Sequence, residues 1–134
     1  MKKSAIALAA LLAASAAHAQ PVDVGTGDWA NLPEARQTGQ SHLGSAVAAA
    51  VEGIARKGDC KVAGLGPRGV DISVPFTLKF SSSWRVERIV LRDLGCPELE
   101  TLLGRVVQRL AAQREFVAPN GPGWYRSVFD LTVD

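Results

Sequence analysis

Residues 70–80 read Val-Asp-Ile-Ser-Val-Pro-Phe-Thr-Leu-Lys-Phe, apolar at every even position and not at any odd one. Eleven residues with a strict period of two cannot form one face of a helix, whose period is 3.6, but suit a strand with one face on a core. The chain is expected to be α+β, built outward from this strand. Pro75 interrupts the pattern, because a proline inside a sheet removes a ladder donor. A strand placed centrally must therefore carry a bulge there or pair over a shorter stretch than the alternation suggests.

The N-terminus has the pattern of a targeting segment separate from the fold. Lys2 and Lys3 precede an apolar run from Ala5 to Ala17, and Ala17-His18-Ala19 has the small-x-small form of a cleavage site before Gln20. Thirteen residues fall short of the roughly 20 that a membrane-spanning helix needs. The expectation is a cleaved signal over residues 1–19 and export to the periplasm. Losing Lys2 and Lys3 leaves 13 basic against 13 acidic residues. That balance argues against nucleic-acid or membrane-surface binding driven by bulk charge.

Residues 20–40 carry Gly, Asp, Thr, Asn and Pro without a sustained apolar period, and read as a flexible or loosely docked leader on which Trp29 and Leu32 can pack. The domain proper is expected over residues 41–134. It begins with a helix from Ser41 to Lys57, where Leu43, Val47, Ala50, Val51 and Ile54 share a face. Ser41 suits the N-cap and Gly58 a left-handed stop.

A second strand, about Trp84 to Leu91, changes phase between Val86 and Ile89, which a bulge near Glu87 and Arg88 would reconcile. Ser81-Ser82-Ser83 makes the hairpin connection. Pro97 then opens the clearest helix, whose stripe is Leu99, Leu102, Leu103, Val106, Val107 and Leu110; Gly104 within it permits close packing. After the turn at Pro119–Gly123, residues 124–133 alternate again. Tyr125, Phe129, Leu131 and Val133 share one face, and Trp124, Arg126, Val128, Asp130 and Thr132 the other.

Cys60 and Cys96 are the two cysteines of the chain. In an oxidising compartment an even count favours a disulfide over free thiols, and no Cys-x-x-Cys spacing supports a redox role. Cys60 leads into the first strand of the hairpin and Cys96 follows the second, so both fall at one end of the sheet. Catalysis has little to work with. His42 is the one histidine after the signal, no serine sits in a Gly-x-Ser-x-Gly turn, and no zinc-ligand pattern occurs. The expectation is a non-enzyme without cofactor or metal. Arg85, Arg88, Arg92, Arg105 and Arg109 read as a solvated face paired with Glu87 and Asp93 before an anion site.

The series Val70–Leu78, Arg85–Leu91, the helix from Pro97 to Val107, Phe116-Val-Ala-Pro119 and Val128–Val133 resembles the C-terminal domain of TonB-type energy transducers over about 65 residues. The resemblance implies a small three-stranded antiparallel sheet with a helix on one face, here preceded by the additional helix from Ser41. It also implies a protein-binding role, in which a segment of an outer-membrane or other periplasmic partner adds as a strand to the final-strand edge. Trp124, Tyr125, Arg126, Val128 and Asp130 are the expected contact residues. The family's Tyr-Pro-x-x-Ala approach and its turn glycine have no counterpart here, and a short apolar start stands in place of its membrane helix. A binding domain without its own anchor is therefore expected, with self-association into a homodimer through the same edge as the alternative.

Overall fold

A computed structural model describes residues 21–38 and 44–133. Ser41, His42 and residues 1–20 lie outside them, and with them the expected signal segment. The elements are β1 (Val22–Gly25), β2 (Arg36–Gln37), α1 (Ser45–Lys57), β3 (Leu65–Gly66), β4 (Gly69–Phe80), β5 (Val86–Arg92), α2 (Pro97–Ala112), β6 (Phe116–Val117) and β7 (Gly123–Val133). No helix among the described residues is long and apolar enough to cross a membrane.

β4 is the alternating strand of residues 70–80, and it is central. β7 pairs antiparallel with it along its whole length, from Val70↔Val133 to Phe80↔Gly123. On its other side lie β5, over Phe76–Phe80, and the short β3. The even residues Val70 to Phe80 are all buried, together with Leu99, Leu103 and Val107 of α2 and Val51 and Ile54 of α1. Both helices therefore cover the same face of the sheet. Phe76 meets Phe116 edge-on at 5.6 Å between centroids, an arrangement that matches ring edge to ring face.

Pro75 is accommodated by shortened pairing. Asp71 N–H points away from β7, donating to Gly64 O at 2.8 Å. Two-residue alternation sends the nitrogen of Pro75 to the same side. There β5 no longer pairs with β4, since their pairing begins at Phe76↔Leu91. The missing donor falls in the gap between β3 and β5 and costs no ladder bond.

The phase change in the second strand is a bulge at Glu87: Lys79 pairs with Arg88 and Phe80 with Val86. Trp84 does not belong to that strand. It sits in the hairpin turn at φ 64°, with its N–H on Ser81 O, and is 58% exposed. Ser81 Oγ accepts from the Ser83 and Arg85 amides, so the serines supply turn bonds that no glycine or asparagine is present to favour.

The expected three-stranded antiparallel sheet is in fact five-stranded and mixed. β1 runs parallel to β5, pairing Val22–Gly25 with Ile89–Arg92, and β3 adds a two-residue hairpin arm. β1 escapes sequence reading because Val22 and Val24 are too few to establish a period. Its pairing comes instead from the open side of β5, where Ile89 N–H reaches Pro21 O and Asp93 N–H reaches Gly25 O. Residues 21–38, expected as a flexible leader, thus contain two strands. Helix α1 begins at Ser45, with Gly44 at the N-cap, and stops at Gly58 (φ 73°) in the left-handed form expected of it.

Cys60 and Cys96 form a disulfide with Cα atoms 5.4 Å apart. It joins the loop after α1 to the N-cap of α2. Beside it, Lys57 Nζ bonds Glu98 Oε1 at 2.8 Å, and that contact raises the Lys57 pKa from its ordinary value of 10.5.

Candidate functional site

β7 is an edge strand in its sheet, and its alternation sorts the five expected contact residues. Its odd residues stand opposite the even residues of β4, whose main-chain groups face β7. The main-chain groups of Trp124, Arg126, Val128, Asp130 and Thr132 therefore point outward, to the open side of the sheet. Their side chains lie on the face without helices.

Tyr125 is the exception among the five. It is 2% exposed, packs edge-on against Phe80 at 5.5 Å, donates its hydroxyl proton to Gly121 O at 2.7 Å and accepts from Asn120 N–H at 3.0 Å. Its side chain fastens the 119–123 turn to the core and is not available to a partner. The alternation already placed Tyr125 with Phe129 and Leu131, so the correction was legible in the pattern.

Trp124 is half-buried, with the Arg88 guanidinium 6.0 Å from the ring centroid. Val128 is 47% exposed, an apolar side chain on an open strand edge, and Asp130 beyond it is exposed too. Beside them is a cleft of ≈ 160 Å³, bounded by Gln37, Leu110, Phe116 and Phe129.

Arg126 is where the edge is occupied. Its N–H donates to Pro33 O at 2.9 Å and its carbonyl accepts from Ala35 N–H at 2.9 Å, which sets Glu34 opposite it in a parallel bridge. Glu34 Oε1 lies 3.5 Å from Arg126 Nη2. The Arg126 Nε is buried and has no hydrogen-bond partner among the described residues. Pro33 has no N–H to extend the ladder back to Trp124. After Ala35 the chain leaves β7: Arg36 and Gln37 pair with Val117 and Phe116, and Thr38 N–H bonds Glu115 O. The contact is thus a clip of two backbone bonds. Where it lifts off, a cleft of ≈ 240 Å³ opens between Glu34, Ala35, Arg126 and Val128.

The clip is reached by a chain that crosses the sheet. β1 lies along β5, whereas Glu34 lies along β7, at the opposite edge. Between them the Trp29 ring receives the Arg92 guanidinium at 4.0 Å, and Arg92 Nη1 donates to Gly27 O at 2.8 Å. Arg92 alternates with the core residue Leu91, so the crossing runs over the face without helices. Thr77, between Val90 and Arg126 in register, is 2% exposed on that same face. Two of the arginines expected to pair with Glu87 and Asp93 have other partners. Arg88 pairs with Asp23 at 2.7 Å, and Arg92 holds Trp29 and Gly27. Trp29 therefore docks on the sheet as its sequence suggested, and its partner Arg92, 63 positions away, is what the Gly- and Asp-rich stretch concealed.

No group of three or more His, Cys, Asp or Glu close enough to hold a metal occurs among the described residues. His42 lies outside them. No protein-family model matches the chain, and comparison with curated proteins and with solved structures gives no match.

Proposed function

We propose that this chain is a non-catalytic, periplasmic protein-binding module of the cell envelope, which takes up an extended segment of a partner protein as an added strand along the outer edge of β7. The observation that carries the reading is the clip: Pro33–Ala35 is an extended segment bonded to the outward N–H and carbonyl of Arg126. An edge that accepts one segment in this way offers the same groups to another, and main-chain bonds supply much of the affinity in such recognition. Val128 and Asp130 continue the outward-facing row beyond the clip. The resemblance to the TonB C-terminal domain points to the same edge, and the signal-like start of the chain to the compartment.

A second reading, a structural homodimer through this edge, is favoured by the order Arg126, Val128, Asp130. Antiparallel pairing of two copies about Val128 would set each Arg126 opposite an Asp130 and the two Val128 side chains against each other. Pairing of that kind requires the clip to open.

The test is a photo-crosslinking scan in the cell envelope with the reactive side chain at Val128, and at the exposed Glu87 as control. A discrete adduct to another envelope protein from Val128 alone supports strand addition. An adduct joining two copies supports the homodimer, and light scattering against concentration then measures it. No adduct from Val128 counts against both.

A further inference from the structure

We infer that the β7 edge is selective for an extended segment that runs parallel to β7 and places a carboxylate opposite Arg126, and that Pro33-Glu34-Ala35 is a built-in, deliberately weak occupant that such a segment displaces. The inference rests on the strand-addition reading and adds to it a direction, a chemistry and a competitor.

The direction is that of the clip itself, in which Glu34 and Arg126 form a parallel bridge. The chemistry follows from Arg126. Its side chain stands beside Thr77 on the sheet face, with Nε buried and unpartnered among the described residues, while Glu34 reaches Nη2 from 3.5 Å. A guanidinium presents Nε and Nη as a fork that a carboxylate fills with two parallel bonds. Glu34 engages one prong at long range and leaves the buried one empty. A carboxylate seated a little deeper would fill both, so the resident acid identifies the preferred group without satisfying it.

The weakness of the clip has a second source. Pro33 cannot donate toward Trp124, and the chain departs to β6 directly after Ala35. The occupant is thereby limited to two main-chain bonds, whereas β7 continues outward at Val128, Asp130 and Thr132. A free segment of five or more residues can use those positions as well. The clip's advantage is proximity, because it is tethered to the same chain through the Trp29–Arg92 contact and β1.

The test uses the chain without its signal segment and a fluorescein-labelled synthetic peptide with the sequence of Trp29–Thr38, titrated by anisotropy. Its partners are the unmodified chain, a Glu34→Arg variant that repels the clip from Arg126, and an Ala35→Pro variant that removes a clip hydrogen bond without a charge change. Circular dichroism establishes that each variant is folded. Because a tethered competitor acts at an effective concentration near the millimolar range, both variants are expected to bind the peptide at least about tenfold more tightly than the unmodified chain. Amide shifts in NMR spectra should centre on Arg126–Asp130. A peptide with lysine in place of Glu34 should lose at least about tenfold, by like-charge placement at Arg126.

Equal binding by the unmodified chain and both variants would overturn the competitor while leaving strand addition at the edge intact. Equal binding of the acidic and lysine peptides would overturn the carboxylate preference. Absence of binding to every form would remove the inference together with the strand-addition reading beneath it.

Discussion

The Trp29 ring and the Arg92 guanidinium meet at 4.0 Å, and this contact turns a segment without sequence periodicity into a strap from one edge of the sheet to the other. Upstream of it β1 covers β5; downstream Pro33–Ala35 covers β7 at Arg126. Cation–aromatic pairs contribute about 0.5–2 kcal/mol, depending on how far they are desolvated. A Trp29→Ala substitution is expected to lower stability by about 1–2 kcal/mol and to raise exchange at the Arg126 amide, which Pro33 O protects. Chemical denaturation and amide exchange measure the two effects. A fall in stability with the Arg126 amide unchanged would mean that the clip stands without the strap.

Exchange along β7 should alternate. The amides of Phe129 and Leu131 face β4 and are bonded in the ladder, whereas those of Val128 and Asp130 face outward. Slow exchange at the odd positions and fast exchange at Val128 and Asp130, with Arg126 protected as an exception, is the expected pattern. Uniform protection along the strand would show that something else already covers the edge, and would locate it.

Gly104 eases the close approach of β1 to α2. A Cβ built there lies 3.1 Å from Val22 Cγ1, tighter than ordinary packing. Alanine would gain about 1 kcal/mol of helix propensity against that contact, and the two effects nearly offset. Leucine cannot fit unless β1 moves. Gly104→Leu is expected to cost about 1–3 kcal/mol and to expose the amides of Ile89 and Asp93, which bond to the β1 segment. Loss of stability without exposure of those amides would argue that α2 shifts instead.

What was legible in the sequence follows the length of each periodic signal. Eleven alternating residues identified β4, the α2 stripe identified the second helix, and two cysteines flanking the hairpin identified the bridge. The phase change between Val86 and Ile89 correctly located the bulge at Glu87, because one extra residue must invert the faces. β1, β2, β3 and β6 are four residues or fewer, and their pairing depends on which edges the longer strands leave open. No local pattern carries that information. For the candidate edge, alternation placed Arg126, Val128 and Asp130 on the outward row. Occupation of Arg126 by Pro33–Ala35 was hidden, since it joins positions 92 residues apart through main-chain atoms that every residue possesses.

The disulfide and the ion pair beside it make separable contributions. Closing a loop with a sequence separation of 36 stabilises by roughly 3–4 kcal/mol in the chain-entropy model, and Cys96 is buried at the start of α2. Reduction, or paired Cys60→Ala and Cys96→Ala substitutions, should lower stability by that amount and loosen the junction of α1 and α2. The Lys57–Glu98 bond acts through protonation. Its raised Lys57 pKa, caused first by the hydrogen bond to Glu98, supplies stability fully present below 10.5 and lost as pH rises through the folded-state value. Lys57→Met should therefore leave an alkaline unfolding curve flatter than that of the unmodified chain.

Trp84 offers the sharpest test of local strain against function. It holds φ 64° at the tip of the β4–β5 hairpin, a region in which a bulky L-residue pays about 1–2 kcal/mol, and at 58% exposed it recovers little of this by burial. Ser81 N–H bonds Arg85 O at 2.8 Å, which leaves residues 82–84 as a three-residue loop, and such a loop favours glycine at its left-handed third position. Trp84→Gly is expected to raise stability by about 1 kcal/mol, read from the denaturation midpoint at constant slope. Trp84→Ala separates the causes, because it removes the ring but keeps the left-handed penalty, and should change stability by less than about 0.5 kcal/mol. If glycine stabilises and alanine does not, backbone strain is the cause. If both destabilise, the indole makes a packing contribution that outweighs the strain, and the hairpin tip is held by its ring.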